Sequence, residues 1–161
     1  MSANPSVLPI ITQFELQTRL FNNCLEGFNK EYNKQPNATT NHAAWLAGHI
    51  IFARTNIANL LGMNIPNPYD ELYANFKPIE SGAKYPDVPN VTKNWNELSG
   101  KFMAKLNTLT EDDLKRESPL KLPVNDGTMR GTLAFFAHHE SYHIGQLGLV
   151  RRYHGYDGMK Y

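Results

Sequence analysis

The chain has 161 residues, 41% hydrophobic and 19% charged, which is the composition of a folded chain rather than a disordered one. Its net charge is +1, which offers no electrostatic footprint for a nucleic-acid backbone or an anionic membrane. A single cysteine, Cys24, excludes an intramolecular disulfide framework and a cysteine-based zinc site. The length suits one domain over residues 1–161. No run approaches the ~18 apolar residues of a membrane span, and Met1–Gln13 lacks the basic region and apolar run of a signal peptide, so the expected setting is cytoplasmic.

Four long helical patterns follow one another. The first spans Leu8 to Tyr32, with Ile10, Phe14, Phe21, Leu25 and Phe28 at helical spacing, and ends at the break around Pro36. The second spans Asn41 to Leu61. Thr39 and Thr40 offer N-caps, Gly62 stands where a terminating glycine belongs, and Trp45, His49, Phe52, Asn56 and Leu60 share a face. A proline-rich connection from Gly62 to Val91 comes next, with a short helix expected at Tyr69–Phe76. A link beyond about 15 residues is usually a lid, a binding loop or a crossover. The third pattern covers Val91 to Leu109 on a stripe of Trp95, Leu98, Phe102 and Leu106, and Thr110 resembles the cap of a further start. Residues 115–127 are irregular and suit a small hairpin. The fourth helix spans Met129 to Tyr153, capped by Thr128 and ended by Gly155. The fold class is therefore all-α: a four-helix bundle with a long connection between its second and third helices.

The histidines carry the chemistry. His139 and His143 stand at i and i+4, on one helical face and within reach of a shared metal ion. Thr132, Phe136, Gln146, Leu147 and Val150 lie on the same side, so the pair sits on the stripe expected to face the core. His49 lies mid-helix beside Trp45 and Phe52, and mid-helix two can meet mid-helix four. Three converging imidazoles form a facial site with open positions, suited to zinc, nickel, iron or manganese. His49 taken alone is more readily read as a hydrogen-bonded core histidine, whereas the His139–His143 pair on an apolar face is harder to account for that way. His42, His138 and His154 read as surface or capping residues.

His139-Glu140-Ser141-Tyr142-His143 matches H-E-x-x-H, the pattern in which two histidines hold zinc and the glutamate is general base. The longer form of that motif requires Gly at 146 and His at 149, where this chain has Gln146 and Leu149. No glutamate follows Glu140 to act as a third ligand. A peptidase is therefore disfavoured.

Trp45-Leu46-Ala47-Gly48-His49 resembles the W-x-x-x-H element of the DinB/YfiT-like family, and His139 to Gln146 resembles that family's H-x-x-x-H-x-G-Q element. The order and separation of the two elements agree with it, and the helical pattern covers nearly the whole chain. The resemblance implies a four-helix bundle holding a divalent metal on His49, His139 and His143, with zinc or nickel foremost, and a homodimer. Members with known activity include bacillithiol-dependent S-transferases and mycothiol-dependent isomerases. The implied partners are a low-molecular-weight thiol and a small electrophile. A hydrolase in which the cation activates water, and a non-catalytic metal-binding bundle, stand as alternatives.

Glu140 and Gln146 are the candidate supporting residues. Glu140 reads as a proton shuttle, as an exposed charge, or as a partner for a neighbouring helix. Gln146 reads as a group that orients a ligand or bonds across helices. Trp45 reads as a wall of the metal pocket or as core. Gly145 and Gly148 suggest close approach of another helix or subunit, because each costs about 1 kcal/mol against Ala. Cys24 reads as a buried small hydrophobe.

Overall fold

A computed structural model describes residues 4–161. Every extended element in it is helical, and an isolated bridge between Glu117 and Thr128 is the sole β pairing among the described residues. Six α-helices follow in order: α1 (Leu8–Leu25), α2 (Ala43–Leu60), α3 (Asp70–Tyr73), α4 (Val88–Leu106), α5 (Glu111–Lys115) and α6 (Met129–Tyr153). A 3-10 turn, Ala74–Phe76, continues from α3. No helix of the described residues is long and apolar enough to cross a membrane.

Local chemistry accounts for the boundaries. α6 begins and ends where the sequence pattern does. α1 stops seven residues short of Tyr32. Glu26 leaves the helical region and Gly27 takes φ +69, a left-handed turn that only glycine adopts without strain. Phe28 and Tyr32 stay buried and pack edge to face, so the apolar spacing continued after the helix had ended. α2 is capped by His42 rather than Thr39 or Thr40: its Nδ1 accepts from the Trp45 N–H at 3.0 Å. α4 starts three residues before Val91. Asp87 accepts from the Asn90 N–H, and Pro89 occupies the first turn, where a missing N–H costs nothing. Thr110 and Asp113 form the reciprocal capping box of α5. In place of the expected hairpin over 115–127, Lys115 closes α5 and residues 116–127 form irregular turns closed by that single bridge.

The four long helices pack as α1 with α4, α1 with α6, α2 with α4, and α2 with α6. Consecutive α1 and α2 thus lie across the core from one another. Phe14, Phe21, Trp95, Phe102, Ile50, Ile57, Leu133 and Leu147 fill the space between the four. Phe21 stacks on Trp95 with ring centroids 4.2 Å apart, and Phe14 meets Phe102 edge to face at 5.0 Å. Arg151, near the end of α6, donates to the Cys24 and Glu26 carbonyls, two of the groups that the end of α1 leaves without helical partners.

The glycine expectations are partly corrected. Gly145 is exposed with nothing within 4 Å of where a Cβ would stand, so among the described residues no other helix approaches it. Gly148 is in ordinary contact with Cys24 and Met159. The glycine that closeness requires is Gly48, where a Cβ would fall on the Tyr73 hydroxyl. That hydroxyl donates to the Trp45 carbonyl at 3.1 Å and ties the short α3 onto α2 one turn from His49. Gly48→Ala is therefore expected to lower the urea unfolding midpoint by about 1–3 kcal/mol equivalent through overpacking. Equilibrium denaturation with an unchanged m-value checks it.

Candidate metal centre

His49 projects from the middle of α2, and His139 and His143 from the middle of α6. The two helices pack against each other, and the three rings meet at their edges. The Nε2 atoms of His49 and His139 are 3.3 Å apart, and those of His143 and His139 are 3.2 Å apart. One donor atom from each of the three residues lies within 4.8 Å of the others, and no carboxylate or thiol joins them among the described residues. All three rings are half-buried.

The proton count identifies what such a cluster can hold. His143 Nδ1 is 2.7 Å from Gln146 Oε1, an oxygen that only accepts, so Nδ1 carries the proton and Nε2 presents a lone pair. His139 Nε2 stands against two other Nε2 atoms, and one proton cannot serve both contacts. His139 Nδ1 is buried with no partner. Left to themselves, three neutral imidazoles in this arrangement keep lone pairs facing one another. A single cation satisfies all of them. Two nitrogens bound to one tetrahedral zinc stand roughly 3.3 Å apart, which is the separation found for two of the three pairs. The donor set thus fits a divalent metal.

Electrostatics keeps the rings neutral. Burial, then the neighbouring imidazoles His143 and His139, lower His49 to about 3. Burial, then His143 and His138, lower His139 to about 4. Burial lowers His143 as well, against the bond to Gln146. Neutral imidazole is the ligating form.

Aromatic side chains frame the cluster. Trp45 stacks on His49 with centroids 4.8 Å apart and planes 9° from parallel. Tyr73 of α3 meets the same ring edge to face, and Phe52 lies beside it. Phe135 and Phe136 flank His139, and Tyr142 abuts His143. Trp45 is therefore both core and wall. Gln146 bonds within its own helix rather than across helices: besides holding His143, its Nε2 donates to the Tyr142 hydroxyl at 3.1 Å.

Glu140 corrects the expectation of an exposed charge. Its carboxylate is buried and takes a two-pronged contact from the fully buried Arg54 of α2, with Nε to Oε2 at 2.9 Å and Nη2 to Oε1 alongside. It faces the core, away from the imidazoles. Arg54 was not singled out in the sequence, although it is the one Lys, Arg, Asp or Glu of α2, and Glu140 is the one carboxylate of α6. A lone cation and a lone anion on apolar helices are a readable signal for a buried pair. The remaining candidates are elsewhere: His138 is exposed, His154 reaches the Lys34 carbonyl, and His42 caps α2. Cys24 is buried, its thiol pushed up to about 11 by burial, and is no nucleophile.

The family model of the DinB superfamily matches residues 13–147, a span that holds the three histidines and Gln146. The chain belongs to the DinB superfamily. A crystal structure of a DinB-like protein, YjoA, from Bacillus subtilis superposes with a TM-score of 0.66 at 23% identity, covering 95% of this chain and 96% of that one. At that identity the likeness is one of fold. No curated protein matches the sequence.

Two outcomes follow from the site. In the metal-free protein the folded-state pKa values of His49 and His139 lie below the unfolded value of about 6.5. The unfolded chain then binds protons first as pH falls. Stability is fully present above pH ~6.5 and declines toward the folded-state values. Allowing for partial exposure, a loss on the order of 2 kcal/mol is expected between pH 7.5 and 5. Urea melts at both pH values, for wild type and His49→Ala, check this, and the variant is expected to lose less. Gln146→Leu is expected to weaken zinc binding by about 10-fold or more by releasing the His143 ring, as measured by chelator competition.

Proposed function

We propose that this chain is a metal-dependent enzyme that transfers a low-molecular-weight thiol to a small electrophile, with a divalent cation held by His49, His139 and His143. The observation that carries the reading is the convergence of three neutral imidazole edges with no fourth His, Cys, Asp or Glu donor among the described residues. Structural zinc sites are closed by four protein ligands, whereas three leave positions for a reactant. Three nitrogen donors without a carboxylate suit zinc or nickel ahead of manganese, which favours oxygen ligands. The four long helices, read as a four-helix bundle, would present that open side beyond α2 and α6.

A cation bound there supplies a charge that lowers the pKa of a thiol or a water at the open positions. The chain's own residues do the rest. Gln146 keeps the His143 proton on Nδ1, so Nε2 remains a donor. Trp45 and Tyr73 fix the His49 plane and keep water off its inner side. The Tyr142 hydroxyl accepts from Gln146, which leaves its own proton free to meet a reactant.

What the chain withholds favours thiol transfer over hydrolysis. Water-splitting sites of the H-E-x-x-H type use the glutamate as general base, and here Glu140 is turned into the core and bound to Arg54. The Ser141 hydroxyl is engaged by Gln17, and Cys24 is buried with its thiol protonated. With neither a protein base nor a protein nucleophile at the cluster among the described residues, a nucleophile brought by a co-substrate fits the site. A small thiol is a nucleophile that such a cation activates.

The test has two steps. Metal content is measured for untagged wild type, His49→Ala and His143→Ala; about one divalent ion per chain in the wild type, lost in both folded variants, is expected. Cobalt(II)-loaded protein is then titrated with 2-mercaptoethanol and bacillithiol. A thiolate-to-cobalt charge-transfer band is expected. A spectrum that no thiol moves, in protein that binds cobalt, would discard the transferase. Ester hydrolysis that disappears with the His variants would then put the hydrolase in its place.

A further inference from the structure

We propose that the buried Arg54–Glu140 pair is a positioning element that locks the register of α2 against α6 and so sets the spacing of the three imidazoles. This rests on the three-His reading above.

The pair stands on the same two helices as the imidazoles and close to them in sequence. Glu140 directly follows His139. Adjacent side chains on a helix diverge by about 100°, which turns His139 toward the cluster and Glu140 toward the core. Arg54 follows His49 by five residues, about 7.5 Å along the axis of α2. The two helices are thus joined twice: once in the core by the ion pair and once at the rim by the imidazoles.

The bonding is directional where the packing is not. Arg54 Nε and Nη2 grip the two carboxylate oxygens as a fork, a geometry that resists both sliding and rotation. Arg54 Nη1 donates to Thr18 Oγ1 of α1 at 2.8 Å and to Ser99 Oγ of α4 at 2.7 Å, and Nη2 reaches the Phe14 carbonyl. The guanidinium carbon lies 3.7 Å from the centroid of the Trp95 ring. The cation is therefore anchored from all four long helices and cannot follow Glu140 if α6 moves. The remainder of the buried surface of α2 is largely Ala and Ile, whose contacts carry little direction. A slip of one residue moves a helix about 1.5 Å, whereas metal–ligand distances tolerate only about 0.2 Å. Apolar packing alone does not select a register that finely.

Stability gives a poor account of the pair. Replacing a buried ion pair with apolar groups of similar volume is often neutral or stabilising. A charge pair kept in the core beside a site that demands alignment is accounted for by the alignment.

The test uses the intact chain loaded with cobalt(II), as wild type, R54M/E140L and Glu140→Asp. The double variant removes both charges at similar volume, so wild-type circular dichroism and a urea midpoint near that of the wild type are expected. Glu140→Asp keeps the charge and shortens the reach by one methylene. Both variants are expected to bind cobalt about 10–100-fold more weakly, with shifted visible d–d bands, as when partners of metal ligands are lost. Wild-type affinity and bands in either folded variant would overturn the proposal. Loss of the fold in both would overturn it too, since the pair would then be a requirement of folding and not of alignment. No cobalt binding by the wild type would be a different failure, that of the three-His reading itself.

Discussion

The guanidinium of Arg54 is the point from which the rest of the structure can be understood. It is fully buried and its five N–H groups find acceptors on α1, α4 and α6, while Trp95 covers its face. A buried charge without such partners would be prohibitive. The acceptors on α1, α4 and α6 therefore meet the guanidinium of α2 at one depth and one rotation. That constraint gives an all-helical core, otherwise filled by interchangeable apolar side chains, a single arrangement.

The functional reading depends on the same arrangement. His49 belongs to α2, and His139 and His143 to α6, so neither helix holds a site by itself. Where the two meet, their inner sides carry the ion pair and their outer sides carry the imidazoles. Around the rim, Trp45, Tyr73 and Gln146 fix rings that would otherwise rotate. The short α3 within the long connection acts here through one residue. Tyr73 reaches the Trp45 carbonyl across Gly48, and the connection closes over the inner side of His49.

The H-E-x-x-H match shows how a short motif separates into unrelated roles. The two histidines, four residues apart, face one way, and the glutamate between them, about 100° around the helix from its neighbour, faces another. In this chain that other direction is the core, where Arg54 is already in place. The same five letters thus hold a candidate metal centre and a structural ion pair. The acid–base role of the glutamate in peptidases has no counterpart, because the carboxylate does not look into the site.

Much of the fold was legible in the residues alone. Helical periodicity and the glycines after α2 and α6 located the four long helices, and α6 to the residue although Thr128 makes no side-chain cap bond, because these signals act within one or two turns. The i,i+4 spacing of His139 and His143 placed them on one face for the same reason. Boundaries set by contacts from elsewhere were not legible: α1 yields to a left-handed Gly27 although Phe28 and Tyr32 keep its apolar spacing, and α2 is capped by a histidine that is also packed against Tyr85. The meeting of His49 with the other two, and the register that brings Arg54 against Glu140, were decided only by tertiary structure. Each depends on which helices become neighbours and at what register, and no local spacing encodes the distance between residues some ninety positions apart.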